Sequence, residues 1–300
     1  MQPIAHRFMP SVAFSMALIA GPAWGQVAPE CADFAGPPPA GYDETVQADF
    51  LKNYPALAST FSPLHAPVPH EPGHGAIGID LNVMPPLGCE RRFALNHTKT
   101  EDTNVTPVVP QPIASFAFPA IGKLVPYAGL GWVPPIPIGG TTSVIISGEF
   151  GVGMTLGESL QVGSRFHATT HRTIGEIATP EEEGSPAFED VYVANSMGVD
   201  LMGGYDLGPV VPYAAIGLTD VSTFFWVGDD GVVSNNYHPY FGPVFSVGAD
   251  SLLMERFRLA GEFYGAPGGY SMPKPDVGAV TPAARYGHIY TARIRLGIEI

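Results

Sequence analysis

No stretch beyond residue 25 is apolar over the about 18 residues that a membrane-crossing helix needs, yet apolar residues recur at alternate positions along much of the chain. Val144, Ile146, Phe150, Val152, Met154 and Leu156 alternate with Ile145, Ser147, Glu149, Gly151, Gly153 and Thr155. After a short break near Gly157, Leu160, Val162, Phe166 and Ala168 alternate with Gln161, Gly163, Arg165, His167 and Thr169. The end of the chain does the same, with Tyr290, Ala292, Ile294, Leu296, Ile298 and Ile300 set against Thr291, Arg293, Arg295, Gly297 and Glu299. A period of two puts all residues of one kind on one face of a strand, whereas a helix would scatter them around its circumference.

Ile77, Ile79, Leu81 and Val83 begin the series, and less regular runs cover about 111–119, 123–133, 191–205, 210–226, 240–253 and 257–270. About ten strands result, an even number, as in bacterial single-chain barrels. Tight connections near Gly122, Gly157, Gly208 and Glu255 alternate with long ones at about 85–110, 134–141, 177–190, 227–239 and 271–285. Barrels in the outer membrane have this alternation, with short periplasmic turns and longer external loops. The expected fold is therefore an all-β, antiparallel up-and-down transmembrane barrel of about ten strands. Both termini are expected in the periplasm.

Composition supports strands joined by turns: 36 Gly and 32 Pro accompany 45% hydrophobic and only 14% charged residues. The net charge of −14, with no basic cluster, argues against nucleic acid as a partner. The first 25 residues read as a secretory signal: Arg7, the apolar stretch Phe8 to Ile19, then small residues at Ala23 and Gly25. Residues 26–73 read as a Pro-rich extension, periplasmic or forming a plug, and 74–300 as the barrel.

Two strand openings repeat, Val125-Pro126-Tyr127-Ala128-Gly129-Leu130-Gly131 and Val211-Pro212-Tyr213-Ala214-Ala215-Ile216-Gly217. This pattern resembles the strand openings of small Gram-negative outer-membrane β-barrel proteins, the OmpA-like and OmpX-like group. The last strand, Tyr290 to Ile300, is similar to the C-terminal signal by which the barrel assembly machinery recognises clients, with Ile300 where Phe is common. The resemblance covers about three quarters of the chain as pattern. It implies an outer-membrane location and, as partners, outer-membrane lipids and lipopolysaccharide together with that machinery.

Inward parity makes Asp80, Glu149, Arg165, His167, His171, Asp200, Arg258 and Glu262 candidate lumen-lining residues, with Arg293, Arg295 and Glu299 from the last strand. Opposite charges there can pair across strands and pack the interior, which implies a structural role, or line a narrow porin-like channel. A second class of function is a lipid-processing barrel enzyme. The lipid-processing barrels place His and Ser two residues apart, and no His-x-Ser occurs here, so no catalytic residue is assigned. A third reading is a secreted soluble β-sandwich that binds a ligand, since such sheets also alternate. His65, His70 and His74 with Glu71 could ligate a metal, but Pro63, Pro67, Pro69 and Pro72 and an unfamiliar spacing favour a linker. No cofactor or metal is expected. Glu181-Glu182-Glu183 and Asp229-Asp230 read as solvated loop tips.

Cys31 and Cys89 are the only cysteines and form a candidate disulfide in an oxidising compartment. Cys89 follows the outer end of the first strand. A bond to Cys31 would require the extension to thread upward through the lumen, with a stretch such as Glu44 to Phe61 as a short helical plug.

Overall fold

A computed structural model describes residues 27–101, 108–138, 140–177, 189–228, 232–235, 239–254, 256–267 and 288–300. The leader expected over 1–25 and the acidic tips Glu181-Glu182-Glu183 and Asp229-Asp230 lie outside the described residues, as does Glu255.

The chain begins with a 3-10 turn (Pro29–Phe34) and helix α1 (Glu44–Ala58), then enters β1 (Gly75–Val83). A second 3-10 turn (Cys89–Arg91) and a small hairpin, β2 (Phe93–Ala94) and β3 (Lys99–Thr100), follow. The wall continues with β4 (Val108–Ala117), β5 (Val125–Ile138), β6 (Thr141–Leu156), β7 (Leu160–Gly175), β8 (Asp190–Tyr205) and β9 (Val210–Val227). Short β10 (Val232–Asn235) pairs back on β9, and β11 (Phe241–Leu253), β12 (Phe257–Ala266) and β13 (Ile289–Glu299) complete it. Ten of these strands, from β1 and β4 through β9 and β11 to β13, form one closed antiparallel ring, because β8 pairs with β9 and β13 pairs with β1. Closure leaves the ring without an unpaired edge. A β-sandwich is thereby set aside.

Gly75 and Ile300 exchange backbone hydrogen bonds at one mouth, here the C-terminal mouth. The turns after β4, β6, β8 and β11 lie at this mouth, with glycines of positive φ at Gly122, Gly157 and Gly208. The other mouth is covered by residues 27–43 and 85–101, and is here called the cap mouth.

Parity follows the sequence. On β6, Ile145, Ser147 and Glu149 are buried while Ile146 and Phe150 face outward. Exposed Ile77, Leu130, Phe166, Leu201, Ile216 and Leu296 continue the outward apolar face around the ring. Leu201 and Ile216, partners on β8 and β9, are 65% and 66% exposed. A ring of strands whose outer surface is apolar suits hydrocarbon, which hydrogen-bonds to nothing, since every backbone group is satisfied within the ring.

Two expectations need correction. The 134–141 stretch is no long loop: β5 runs on to Ile138 and β6 starts at Thr141, with the register shifting between Val133 and Ile136. Pro134 and Pro135 fall in that shift, where a residue lacking an N–H can sit without breaking ladder bonds. Nor do the two ends of the described chain share a mouth. Ile300 lies at the C-terminal mouth, and Cys31 is bonded to Cys89 beyond the opposite end of β1. The reason is that the segment before β1 runs through the barrel instead of hanging below it.

Candidate functional site: a threaded lumen

From the cap mouth inward, Cys31 and Cys89 form a disulfide, and Arg92 donates to Glu30 at 2.8 Å. That hydrogen bond holds the Glu30 carboxyl below the usual carboxylate range. Phe93 is fully buried and stacks on His97 with ring centroids 3.9 Å apart, the small core of the cap. Asp43 caps α1, its Oδ1 accepting from the Thr45 and Val46 amides at 3.0 and 3.2 Å.

The helix then descends into the barrel. Phe50, Tyr54 and Leu57 pack with inward-facing Tyr192, Val221, Val244, Tyr264 and Ile289. The Tyr192 hydroxyl donates to the Lys52 carbonyl at 2.6 Å. At the lower end of α1, Arg293 donates to the Thr60 and Ala58 carbonyls at 2.6 and 3.2 Å and lies 4.2 Å over the Tyr264 ring. A cation at a helix C-terminus meets carbonyls that no helical N–H can satisfy.

Below the helix the chain is extended, and each of its polar groups named here finds a partner on the wall. The Phe61 amide donates to Thr169 at 3.1 Å, the Leu64 amide to Glu262 at 3.1 Å, the Ala66 amide to Asp250 at 3.0 Å and the Val68 amide to Gln161 at 3.2 Å. Arg165 joins three elements, donating to Glu149 at 2.6 Å, to Asp200 at 2.8 Å and to the Phe61 carbonyl at 2.8 Å. His65 stands 3.1 Å from Glu149. Arg258 pairs with Asp250 and Glu299, and His70 bridges Glu299 and Ser115 at 2.8 Å each. Arg295 grips Asp80 with two bonds of 2.7 and 2.8 Å.

The wall makes room for this segment with glycine. A Cβ at Gly153 would overlap the Pro67 carbonyl, and those at Gly163 and Gly204 would crowd the Pro67 ring. Gly131 likewise faces Gln111 and the Phe61 ring. Side chains on these strands would fill the channel that the extension occupies.

Of the residues singled out from the sequence, Asp80, Glu149, Arg165, His167, Asp200, Arg258, Glu262, Arg293 and Arg295 are buried in the lumen, and Glu299 lies at the C-terminal rim. His167 is buried over Gly198, 3.6 Å from Asp200. His171 lies apart, in the half beneath the cap, between Ser59 at 3.1 Å and Thr173 at 2.8 Å. The partner on its second nitrogen is thus a hydroxyl and not the carboxylate that would orient a catalytic base. His65 and His70 hold different partners, and no cluster of three metal-ligating side chains occurs among the described residues.

Sequence reasoning missed a feature of the cap half. Between α1 and the inner faces of β5 to β9 lies a cavity of about 350 Å³, lined by Leu51, Ala58, Val133, Ile145, Ile177 and Phe225 among others. Val133 and Ile145 are 5% and 4% exposed at positions where the alternation calls for small or polar residues. The signal was there, in the unbroken apolar runs Val144-Ile145-Ile146 and Trp132-Val133.

No family model matches the chain, and no curated protein does. The solved structures to which it is similar are outer-membrane β-barrels. The translocator domain of the autotransporter NalP from Neisseria meningitidis is 11% identical, covers 85% of this chain and 95% of its own, and has a TM-score of 0.45. The Pseudomonas putida toluene transporter TodX is 11% identical over 81% of this chain and 74% of its own, with a TM-score of 0.38. Ail, the attachment invasion locus protein of Yersinia pestis, is 9% identical over 77% of this chain and all of its own, with a TM-score of 0.34.

Proposed function

We propose that this protein is an integral outer-membrane barrel, with a structural or narrow-channel role, whose lumen is shut by its own N-terminal segment. One observation carries the reading: the extended segment from Phe61 to Val68 is bonded to the wall on several sides, through Thr169, Arg165, Glu262, Asp250 and Gln161. Bonds on several sides of one extended segment support a lumen that it fills. The outward apolar face supports the membrane placement. In this reading the short turns put the C-terminal mouth in the periplasm and the cap outside the cell. Lipids and lipopolysaccharide then surround the wall, and β13 is the strand offered to the assembly machinery.

The experiment is to fold the chain into lipid vesicles, compare gel migration with and without boiling, and record from planar bilayers. A faster unheated band with a nearly silent bilayer is expected. Gly153→Leu, which drives a side chain into the Pro67 carbonyl, is expected to convert the silent barrel to a conducting one. A chain that stays in solution without lipid and shows no mobility shift ends the membrane reading, and steady conductance from the unmodified chain ends the shut-lumen reading.

A further inference from the structure

We infer that the cavity beneath the cap is a binding site for a small, uncharged, apolar molecule. Its volume of about 350 Å³ falls in the range of ligand pockets, enough for two linked or fused rings. Three features set the chemistry.

First, the wall changes character there. Inward positions nearer the C-terminal mouth carry Glu149, Arg165 and Asp250, whereas those at the cavity carry Val133, Ile145 and Tyr192. Second, the helix does not fill the space: Phe50, Tyr54 and Leu57 pack toward Tyr192, Val221 and Tyr264, on the β8, β9 and β12 side. The gap remains between α1 and the inner faces of β5 to β9, where Val133, Ile145, Tyr192 and Phe225 line it. Third, the polar groups at its edge are engaged with one another. Lys52 is paired with Asp49 at 3.0 Å, Glu101 with Lys99 at 2.8 Å, and His171 lies between Ser59 and Thr173. A charged ligand would have to break one of these pairs to be satisfied, and an anion would also face the carboxylates of Glu101 and Glu176. A neutral ligand needs only the apolar surface, with room for one weak hydrogen-bonding group beside the Ser59 and Thr173 hydroxyls.

The inference goes beyond the shut-barrel reading, because a sealed lumen needs no apolar cavity above the seal. The test uses the full chain in lipid nanodiscs, titrated with N-phenyl-1-naphthylamine and, separately, with its sulfonated relative 8-anilinonaphthalene-1-sulfonate, against empty nanodiscs. Saturable fluorescence with one neutral probe per chain is expected, with the sulfonate binding at least tenfold more weakly. Ile145→Trp and Val133→Trp, on separate strands, should each fill the cavity and weaken the neutral probe at least tenfold, while outward-facing Ile146→Trp leaves it unchanged. No saturable signal above empty nanodiscs, equal affinity for the two probes, or unchanged affinity in folded cavity variants would overturn the site. The comparison of the two probes needs no variant, so a misfolded mutant does not remove the test. A chain that passes the gel-shift assay yet binds neither probe defeats this inference and leaves the membrane barrel standing.

Discussion

Near the C-terminal mouth the lumen is packed by ion pairs and backbone bonds around an extended strand of chain, whereas beneath the cap the same ten strands surround a helix and an apolar space. The lower half is specified by charge: Arg165 serves two carboxylates and a carbonyl, and removing it strands all three away from water. The upper half is held by apolar contact, which tolerates changes of a methyl group or so. The lesson is that one inward parity can build either a rigid stopper or a receptive pocket. The residues chosen at those positions decide which.

The sharpest way to break this comparison is Arg165→Leu, which leaves Glu149 and Asp200 buried together without their cation. It should cost about 3–5 kcal/mol in urea unfolding from lipid vesicles, with part recovered when Glu149→Gln is added. A loss below about 1 kcal/mol would show that the lower half is not organised by charge.

Next in size is removal of the disulfide by Cys31→Ser with Cys89→Ser. The two residues are 58 apart in sequence, and loss of the link should cost about 2–4 kcal/mol. It should expose residues 27–43 to added protease in intact vesicles, while the lower segment stays protected.

Arg293→Met should cost about 1–3 kcal/mol, since it abandons the carbonyls at the foot of α1 and the Tyr264 face and takes a cation away from buried Glu262, its cross-strand partner on β12. The loss should appear as faster amide exchange in α1 with little change in the wall.

The smallest effect is expected from Ile145→Val, about 0.5 kcal/mol in the same unfolding assay, because this side chain already borders empty space. If it costs as much as Arg165→Leu, the two halves do not differ in the way described.

The wall was legible in the sequence because lipid and lumen impose opposite chemistries on neighbouring residues, so a run such as Tyr290 to Ile300 states its own fold. The 134–141 stretch reads as a loop because three prolines fall in it, whereas the register shift absorbs Pro134 and Pro135 and Pro137 pairs with Thr142 near the end of β5. The plug was harder. Helix α1 is surrounded by aromatic and polar wall residues, so even Gln47, Asp49 and Asn53 are buried on it, and it lacks the one-sided apolar stripe that marks a surface helix. Its partners are fixed by contacts more than 100 residues away, as between Lys52 and Tyr192. The cysteine pair carried the one long-range hint, because their bond required threading. The candidate lumen residues followed from parity alone, while their pairing partners did not, since Phe61, Leu64 and Ala66 contribute backbone groups that no side-chain pattern reveals.

The pairing of β1 with β13 is the seam at which the two ends of the wall meet, and the segment passing through the lumen is continuous with the first residue of that seam. Once the seam is zipped, the N-terminal segment is mechanically enclosed, like an axle in a ring fixed to one of its ends. Its exit path is then back through the bore, and the linked cap is too bulky to follow. The order of events during assembly therefore matters: the segment must be in place, or pass through, before the last row of hydrogen bonds forms. A chain that closes first would hold the same residues in the same wall with its plug stranded on the wrong side, a kinetically trapped isomer in which Cys31 cannot reach Cys89 and the bond between them is missing.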